Sequence, residues 1–154
     1  MSKFKKFEEQ VEKGLNQLPD IIVERIPDQQ SRYKGSTNCC DYRAYKKPLC
    51  FYIECKTVLT GASLPFSNIT EAQWEGLMSR SRVSGCVSGV ICWFISRGTT
   101  KFFPITFLEI LRKEGKKSVR WDCDDLCVIE IPGVKKRVYY DYDFTGFIEQ
   151  STKY

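Results

Sequence analysis

The chain has 154 residues, of which 42% are hydrophobic and 14% aromatic, and it carries a formal net charge of +5 with no histidine. This length predicts a single domain over residues 1–154 with a sizeable core, and no apolar run reaches the roughly 18 residues of a membrane span. Without histidine, Ser-His and Cys-His nucleophiles and a histidine general base are excluded, so any chemistry depends on carboxylates, lysine and metal.

The first part of the chain predicts a helix followed by strands. Hydrophobic residues recur there at spacings of three and four, which is typical of a helix with one apolar stripe that ends before Pro19. The stripe consists of Phe4, Phe7, Val11, Leu15 and Leu18. Strands are then predicted over residues 21–26, 39–45 and 49–58, with a polar loop at 28–38 and a Gly/Ser/Pro-bearing segment at 60–68. Because Lys46-Lys47-Pro48 joins the last two strands, we expect a hairpin that brings Asp41 towards Glu54.

The second part predicts an alternation of helices and strands. Thr70 is a suitable cap for a helix that runs to about Ser81 and carries Gln73 in its first turn. A central strand is predicted at 87–95, another strand at 101–105 and a helix at 106–114, followed by short strand-like pieces and turns. This order of elements predicts a mixed α/β sheet flanked by helices.

The triplet Glu54-Cys55-Lys56 is the most informative feature of the predicted sheet. Side chains alternate along a strand, so Glu54 and Lys56 should share one face, with Phe51, Ile53 and Cys55 on the other. With Asp41 on the next strand, two carboxylates and an ammonium would converge, as a hydrolytic Mg²⁺ site for phosphodiesters requires. The alternative is a solvated ion pair on an exposed strand face. The apolar run before Glu54 favours a buried acid, which needs a partner or a metal.

The eight cysteines are expected to be free thiols of a soluble, cytoplasmic protein, because the N-terminal sequence does not resemble a signal peptide. A structural zinc site is the alternative. Without a C-x₂-C pair, only Cys39 and Cys40 with Cys50 and Cys55, or Cys123 with Cys127, could contribute to one.

The distribution of basic residues favours nucleic acid as the partner. The residues expected around Asp41 are Arg32, Lys34, Arg43, Lys46 and Lys47, and a second basic run comprises Arg112, Lys113, Lys116, Lys117 and Arg120. For the second run, an ordinary soluble surface is an equally good explanation.

Asp41, Glu54-x-Lys56, Glu8 on the first helix and Gln73 on a later one together resemble the PD-(D/E)XK nuclease superfamily. Further stretches resemble, more narrowly, the RecU-type Holliday junction resolvases, and the resemblance covers roughly residues 4–144. These stretches are Glu54-Cys55-Lys56-Thr57, Leu64-Pro65-Phe66-Ser67-Asn68-Ile69 with Gln73, and Gly115-Lys116-Lys117-Ser118-Val119. The ordered combination is far more specific than E-x-K alone.

The resemblance implies a restriction-endonuclease-like fold and roles for single residues. Asp41 and Glu54 match metal-binding carboxylates, Gln73 matches a glutamine that completes the metal environment, and Lys56 matches the lysine that stabilises the transition state. Glu8 matches a helical acid with a supporting role. The implied cofactor is Mg²⁺, for which Mn²⁺ would substitute. One position departs from the family, which generally has threonine where this chain has Cys40, and a thiol is a poor ligand for Mg²⁺.

The resemblance further implies a homodimer, since a four-way junction is two-fold symmetric and paired cuts need two active sites. Residues 57–66 correspond to the family's projecting stalk, and here they lack lysine and arginine, so we expect wedge contacts from them. An apolar dimer interface is the competing use. Phosphate contacts are expected from Arg32, Lys34, Arg43 and Lys46.

The expected function is a Mg²⁺-dependent endonuclease that resolves Holliday junctions in recombination. The alternatives are another PD-(D/E)XK nuclease, restriction-like or end-processing, and a DNA-binding protein that keeps the fold without cleavage.

Overall fold

The computed structural model describes residues 3–27 and 38–153. Its helices are α1 (Lys3–Asn16), α2 (Glu71–Ser81), α3 (Ile105–Lys113) and α4 (Thr145–Thr152). Its strands are β1 (Ile22–Arg25), β2 (Tyr42–Lys46), β3 (Leu49–Val58), β4 (Ser63–Pro65), β5 (Cys86–Phe94), β6 (Thr99–Pro104), β7 (Ser118–Arg120), β8 (Ile129–Glu130), β9 (Gly133–Lys135) and β10 (Tyr140–Tyr142). In this part of the chain no helix is long and apolar enough to cross a membrane.

Six strands form the central sheet in the order β1-β2-β3-β5-β6-β8, and two small sheets pair β4 with β7 and β9 with β10. The central pair, β3 and β5, is parallel, whereas the other neighbours in the sheet are antiparallel. The sheet is therefore mixed. With helices on both of its faces, the predicted fold class, a mixed α/β sheet flanked by helices, is confirmed.

Alternating side chains of the sheet build two cores. On one face, Phe51, Ile53 and Cys55 of β3 pack with side chains of α1 and α4. On the other face, Val58 of β3 and Val90 of β5 pack with side chains of α2 and α3. The buried α1 residues are Phe7, Val11 and Leu15, so the predicted apolar stripe is confirmed over the described side chains. The parallel pair lies between the two cores, which explains why β3 and β5 are apolar on both faces.

The main differences from the predicted elements lie at the edges of the sheet and near the C-terminus. Strand β2 begins at Tyr42, because Cys39 and Cys40 precede it as irregular chain packed in the core beneath α2. Helix α4 was not predicted. The predicted polar loop falls outside the described residues, except for Asn38.

The expectation of a projecting stalk over residues 57–66 is wrong for most of its length. Val58 completes β3, while Leu64 and Phe66 are buried in the core beside α2. The segment is held down by the pairing of β4 with β7 and by the Phe66 backbone N–H, which donates to the Lys117 carbonyl at 2.9 Å. The exposed residues of this segment are Pro65 and residues 59–61, here called the tip. Val58, Leu64 and Phe66 serve the core because burying them stabilises the fold.

Candidate active site

The β2–β3 hairpin places Asp41 beside Glu54. Tyr42 pairs with Ile53, so Asp41 lies one step before β2 at the level of Glu54. The Asp41 backbone N–H donates to the Ile53 carbonyl at 3.0 Å, and the Cys55 backbone N–H donates to Asp41 Oδ2 at 2.8 Å. The Asp41 carboxylate is therefore held by the backbone of the strand that carries Glu54.

Glu54 and Lys56 share the face of β3 that α2 covers, and Phe51, Ile53 and Cys55 lie on the other face, as predicted. Lys56 Nζ is 3.4 Å from Glu54 Oε1. The side chains of Glu54 and Lys56 are only 4% and 14% exposed. The pair is thus not the solvated ion pair of an exposed strand.

Gln73 reaches the same carboxylate from the first turn of α2. Thr70 caps this helix, and a reciprocal capping box joins Thr70 and Gln73: Thr70 Oγ1 accepts from the Gln73 N–H, and Gln73 Oε1 accepts from the Thr70 N–H, each at 3.1 Å. Gln73 Nε2 then donates to Glu54 Oε1 at 3.1 Å. The cap therefore fixes the amide that positions Glu54, and a second lone pair remains on Gln73 Oε1.

Burial dominates the electrostatics of Glu54. Desolvation is the largest cause that raises its pKa, to about 8, and the nearby Asp41 carboxylate raises it further. Lys56 acts in the opposite direction without cancelling these effects. A bound cation would favour the charged form of Glu54, because it would offset both the loss of water and the repulsion from Asp41.

The donor set fits a hard divalent ion. Within residues 3–27 and 38–153, no three histidine, cysteine, aspartate or glutamate side chains form a cluster able to hold a metal. The candidate set instead has two carboxylates, Asp41 and Glu54, and one amide, Gln73. Mg²⁺ typically takes one or two carboxylates from the protein and fills its other positions with water and substrate phosphate.

Glu8 occupies a supporting position. Its helix, α1, packs on the opposite face of the sheet from α2. Glu8 is buried, its Oε2 is 3.2 Å from Arg25 Nη2, and its backbone carbonyl accepts from the Tyr42 hydroxyl at 3.0 Å. These contacts tie α1 to β1 and to the residue after Asp41. Its catalytic role stays a prediction.

The predicted DNA-binding residues are not brought together equally. Arg43 lies two residues from Asp41, exposed and 2.6 Å from Glu24. Lys46 is at the far end of β2, about 16 Å along the strand from Asp41, and donates to the Pro19 carbonyl. Arg32 and Lys34 lie outside the described residues. In the second basic run, Arg112 and Arg120 are engaged in ion pairs with Glu71, Glu109 and Asp122.

Cys40, which replaces the family's threonine, is buried and is hydrogen bonded within the protein. Its Sγ is 3.5 Å from both Cys39 Sγ and the Tyr42 carbonyl. The hydrogen bond with Cys39, followed by burial, raises the pKa of Cys40. A protonated thiol with these partners is not a ligand for a hard cation. All eight cysteines are free thiols in the structure.

A close approach of α2 to the chain before Asp41 holds the site together. A Cβ at Gly76 would lie 2.2 Å from the Cβ of Cys39 and 3.4 Å from its Cα. Only glycine lets the helix that carries Gln73 pass this near. Gly76 therefore sets the distance between Gln73 and the carboxylates.

We expect Gly76→Ala to destabilise the protein by about 1–3 kcal/mol, the usual cost of overpacking, although alanine is favoured over glycine inside a helix by about 1 kcal/mol. Urea unfolding measures the change. The control is the double variant Cys39→Gly with Gly76→Ala, which lacks the Cβ of residue 39 that would collide. Its free energy of unfolding should fall by less than the sum of the losses in the two single variants. Additive losses, or a stabilised single variant, would contradict the close contact.

Sequence reasoning missed two arginines near the site, Arg25 and Arg80. Both line a pocket beside Asp41. A signal for Arg80 exists in the spacing, because residues seven apart lie on the same side of a helix and Arg80 is seven residues after Gln73. Arg25 has no such signal, since its proximity arises from pairing between β1 and β2.

Comparison with known proteins gives a distant structural similarity. No protein-family model matches the sequence, and no curated protein matches it. Among solved structures, the chain is similar to one of the Holliday junction resolvase class. That structure is Hjc of Archaeoglobus fulgidus, described as a Holliday junction resolvase from an archaeal hyperthermophile. It is 20% identical with a TM-score of 0.46, and the alignment covers 66% of this chain and 77% of that chain.

Proposed function

We propose that the protein is a Mg²⁺-dependent endonuclease that cuts branched DNA, with four-way junctions as the preferred substrate. The observation that carries the proposal is the convergence of Asp41, Glu54, Lys56 and Gln73 on one partly buried site. Lys56 and Gln73 contact Glu54 Oε1, and Asp41 accepts from the backbone N–H of the residue after Glu54. The resemblance of the ordered motif to the resolvases supports the choice of substrate.

In this proposal Asp41 and Glu54 hold Mg²⁺, and the free lone pair of Gln73 Oε1 can add a third oxygen. When bound, the ion supplies Lewis-acid polarisation of the phosphate oxygens. Lys56 stabilises the negative charge that develops at phosphorus, and Gln73 orients Glu54 through its amide nitrogen. Water attacks phosphorus, so one P–O bond forms and another breaks, leaving a phosphate monoester on one fragment and a hydroxyl on the other. Mn²⁺ should replace Mg²⁺, because it takes the same ligands.

The proposal includes a homodimer, since symmetric cuts across a two-fold junction need two sites. The decisive assay incubates a labelled four-way junction and a linear duplex of equal length with the protein, with and without Mg²⁺. We expect the junction to be cut only when the metal ion is present, at symmetric positions in a pair of strands. Metal-dependent cleavage of both DNAs at equal rates would contradict junction selectivity, and only the proposal of nuclease activity would stand. The absence of cleavage in both Mg²⁺ and Mn²⁺ would contradict the enzyme.

One observation favours a second candidate, a PD-(D/E)XK nuclease without junction selectivity. The segment that should enter a junction is mostly folded into the core, and apart from Pro65 only the tip at residues 59–61 is exposed and able to make wedge contacts. Junction selectivity then depends on a very short element, chiefly Leu59, which is 60% exposed.

We expect Leu59→Ser to lower the preference for junction over duplex about fivefold, since a leucine partly buried against unstacked bases contributes about 1 kcal/mol. Binding of each DNA is measured by fluorescence anisotropy. The matched control is Leu126→Ser, which removes a leucine that is 86% exposed elsewhere on the surface. Equal preference in the wild type and L59S would show that the tip does not read the branch point.

A further inference from the structure

A basic pocket lies next to Asp41 and has no part in the site described above. We call it the arginine pocket: a cavity of about 320 Å³ lined by Arg25, Arg43, Arg80, Glu24, Ile26 and Cys39, with Pro27 and Asn38 at its border. The Ile26 backbone N–H donates to the Asp41 carbonyl at 2.8 Å, so one wall of the pocket is bonded to the residue that carries the candidate metal ligand. The pocket and the site are thus neighbours along one surface.

Arg80 is the least satisfied of the three arginines. Its Nη1 donates to the Gly76 carbonyl at 3.0 Å, and its guanidinium lies over the Tyr52 ring, 5.0 Å from the ring centre. Within residues 3–27 and 38–153, no carboxylate is within ion-pair distance of it. A guanidinium has five N–H donors, so packing holds this half-buried cation in place while most of its donors have no acceptor among the described residues.

The other two arginines leave the pocket positive. Arg25 is 3.2 Å from Glu8, which does not line the pocket, and Arg43 is 2.6 Å from Glu24, which does. Each of these ion pairs engages one Nη2 atom of its arginine. Because Arg25 directs its guanidinium to Glu8, Arg80 and Arg43 are the cations available to this space. Among the described residues the lining has one carboxylate, that of Glu24, and this arrangement favours an anion.

We infer that the arginine pocket binds a backbone phosphate of the DNA strand that is cut, next to the phosphodiester held at Asp41 and Glu54. This inference rests on the proposed nuclease function. Arginine presents a planar fork of donors that matches a phosphate group, and Arg80 is already oriented by Tyr52 and the Gly76 carbonyl. A phosphate seated there positions the neighbouring phosphodiester over the carboxylates, and positioning of this kind contributes to the rate.

The first experiment measures binding of a labelled duplex and a labelled four-way junction in EDTA, where cleavage is prevented. We expect Arg80→Gln to weaken binding of both DNAs about tenfold, the effect of losing one charge-assisted bidentate contact, and to reduce the slope of log affinity against log salt by about 1. Arg80→Lys keeps the charge without the fork and should lie between Arg80→Gln and the wild type.

The matched control is Arg82→Gln, which removes the same charge two residues further along. Arg82 is exposed and lines a different groove with Trp74 and Glu75. We expect its effect on affinity to be less than twofold. Thermal unfolding of each variant identifies loss of fold, and if R80Q is unfolded, R80K provides the comparison.

A second experiment locates the phosphate. Single methylphosphonate linkages, which are uncharged, are placed in turn on either side of the cut in the same four-way junction. At one position next to the cut, the methylphosphonate should lower the affinity of the wild type about tenfold and that of R80Q hardly at all. The methylphosphonate and the R80Q substitution remove the same contact, so their effects do not add.

Two results would overturn the phosphate pocket. One is an equal loss of DNA affinity in R80Q and R82Q. The other is that every methylphosphonate lowers the affinity of R80Q as much as it lowers that of the wild type. If the wild type cuts DNA in that case, the nuclease proposal stands and only the pocket assignment fails. If the wild type neither binds nor cuts any DNA, the proposed function itself fails, and the pocket assignment fails with it.

Discussion

Replacing Glu54 with glutamine is expected to abolish DNA cleavage while leaving DNA binding within about threefold of the wild type. The change removes one formal charge from the ligands of the proposed ion, and losing several kcal/mol of metal-dependent stabilisation lowers the rate by about 10³-fold or more. Binding survives because the basic surface that contacts phosphates is untouched. Single-turnover cleavage in Mg²⁺ and anisotropy in EDTA measure the two effects.

The fold should tolerate Glu54→Gln well. Glutamine has the same shape and keeps an oxygen to accept from Gln73 Nε2 and from Lys56 Nζ, which approach Glu54 Oε1 at 3.1 and 3.4 Å. The control is Glu75→Gln, the same change at an exposed position of α2. Normal turnover by E54Q, or equal losses in E54Q and E75Q, would remove Glu54 from the active site.

The second large effect is expected for Lys56→Ala, which should slow single-turnover cleavage by about 10²-fold or more, a typical loss when a group that stabilises transition-state charge is deleted. Lys153→Ala, at an exposed position near the C-terminus, is the control for loss of positive charge. An unchanged rate in K56A would make the Glu54–Lys56 contact a purely structural ion pair.

Lys56 also lowers the pKa of Glu54, so its deletion has a second route to inactivity. Raising the Mg²⁺ concentration separates the two. A rate deficit that persists at saturating Mg²⁺ supports direct action on the phosphate. A deficit that disappears assigns the effect of Lys56 to metal binding through Glu54.

Much of the candidate site was predictable because it is built from local patterns. The alternation of side chains along β3 determines that Glu54 and Lys56 share a face, and the short connection between β2 and β3 determines that Asp41 reaches the same level. The cap at Thr70 is also local, and it fixes Gln73 three residues later. These interactions involve residues close in sequence or neighbouring strands of one hairpin, so the pattern of residue types is sufficient to predict them.

The close approach of α2 to Cys39 was not predictable in this way. In the sequence, Gly76 indicates only low helix propensity at that position, because its role depends on Cys39, 37 positions earlier. The pocket of Arg25, Arg43 and Arg80 depends likewise on β1, β2 and α2 meeting at one place. Charge alone identified Arg43, whereas the other two arginines required the packed structure.

The sequence by itself determined the mixed sheet, the helix that flanks it on each side and the carboxylate pair on its central hairpin, because hydrophobic periodicity and turn signals act over a few residues. Only the tertiary structure decided the conformation of residues 57–66 and of α4. The first segment resembles a stalk in sequence, yet Leu64 and Phe66 are buried in the core. The second has weak helical propensity with Gly146 and several threonine and serine residues, and it is stabilised by Phe147, whose ring centre lies 5.1 Å from that of Phe51 and 4.8 Å from that of Phe102. Burial against partners distant in sequence, such as Val119 for Leu64 and Phe51 for Phe147, outweighs local preference in both segments, and no local pattern encodes it.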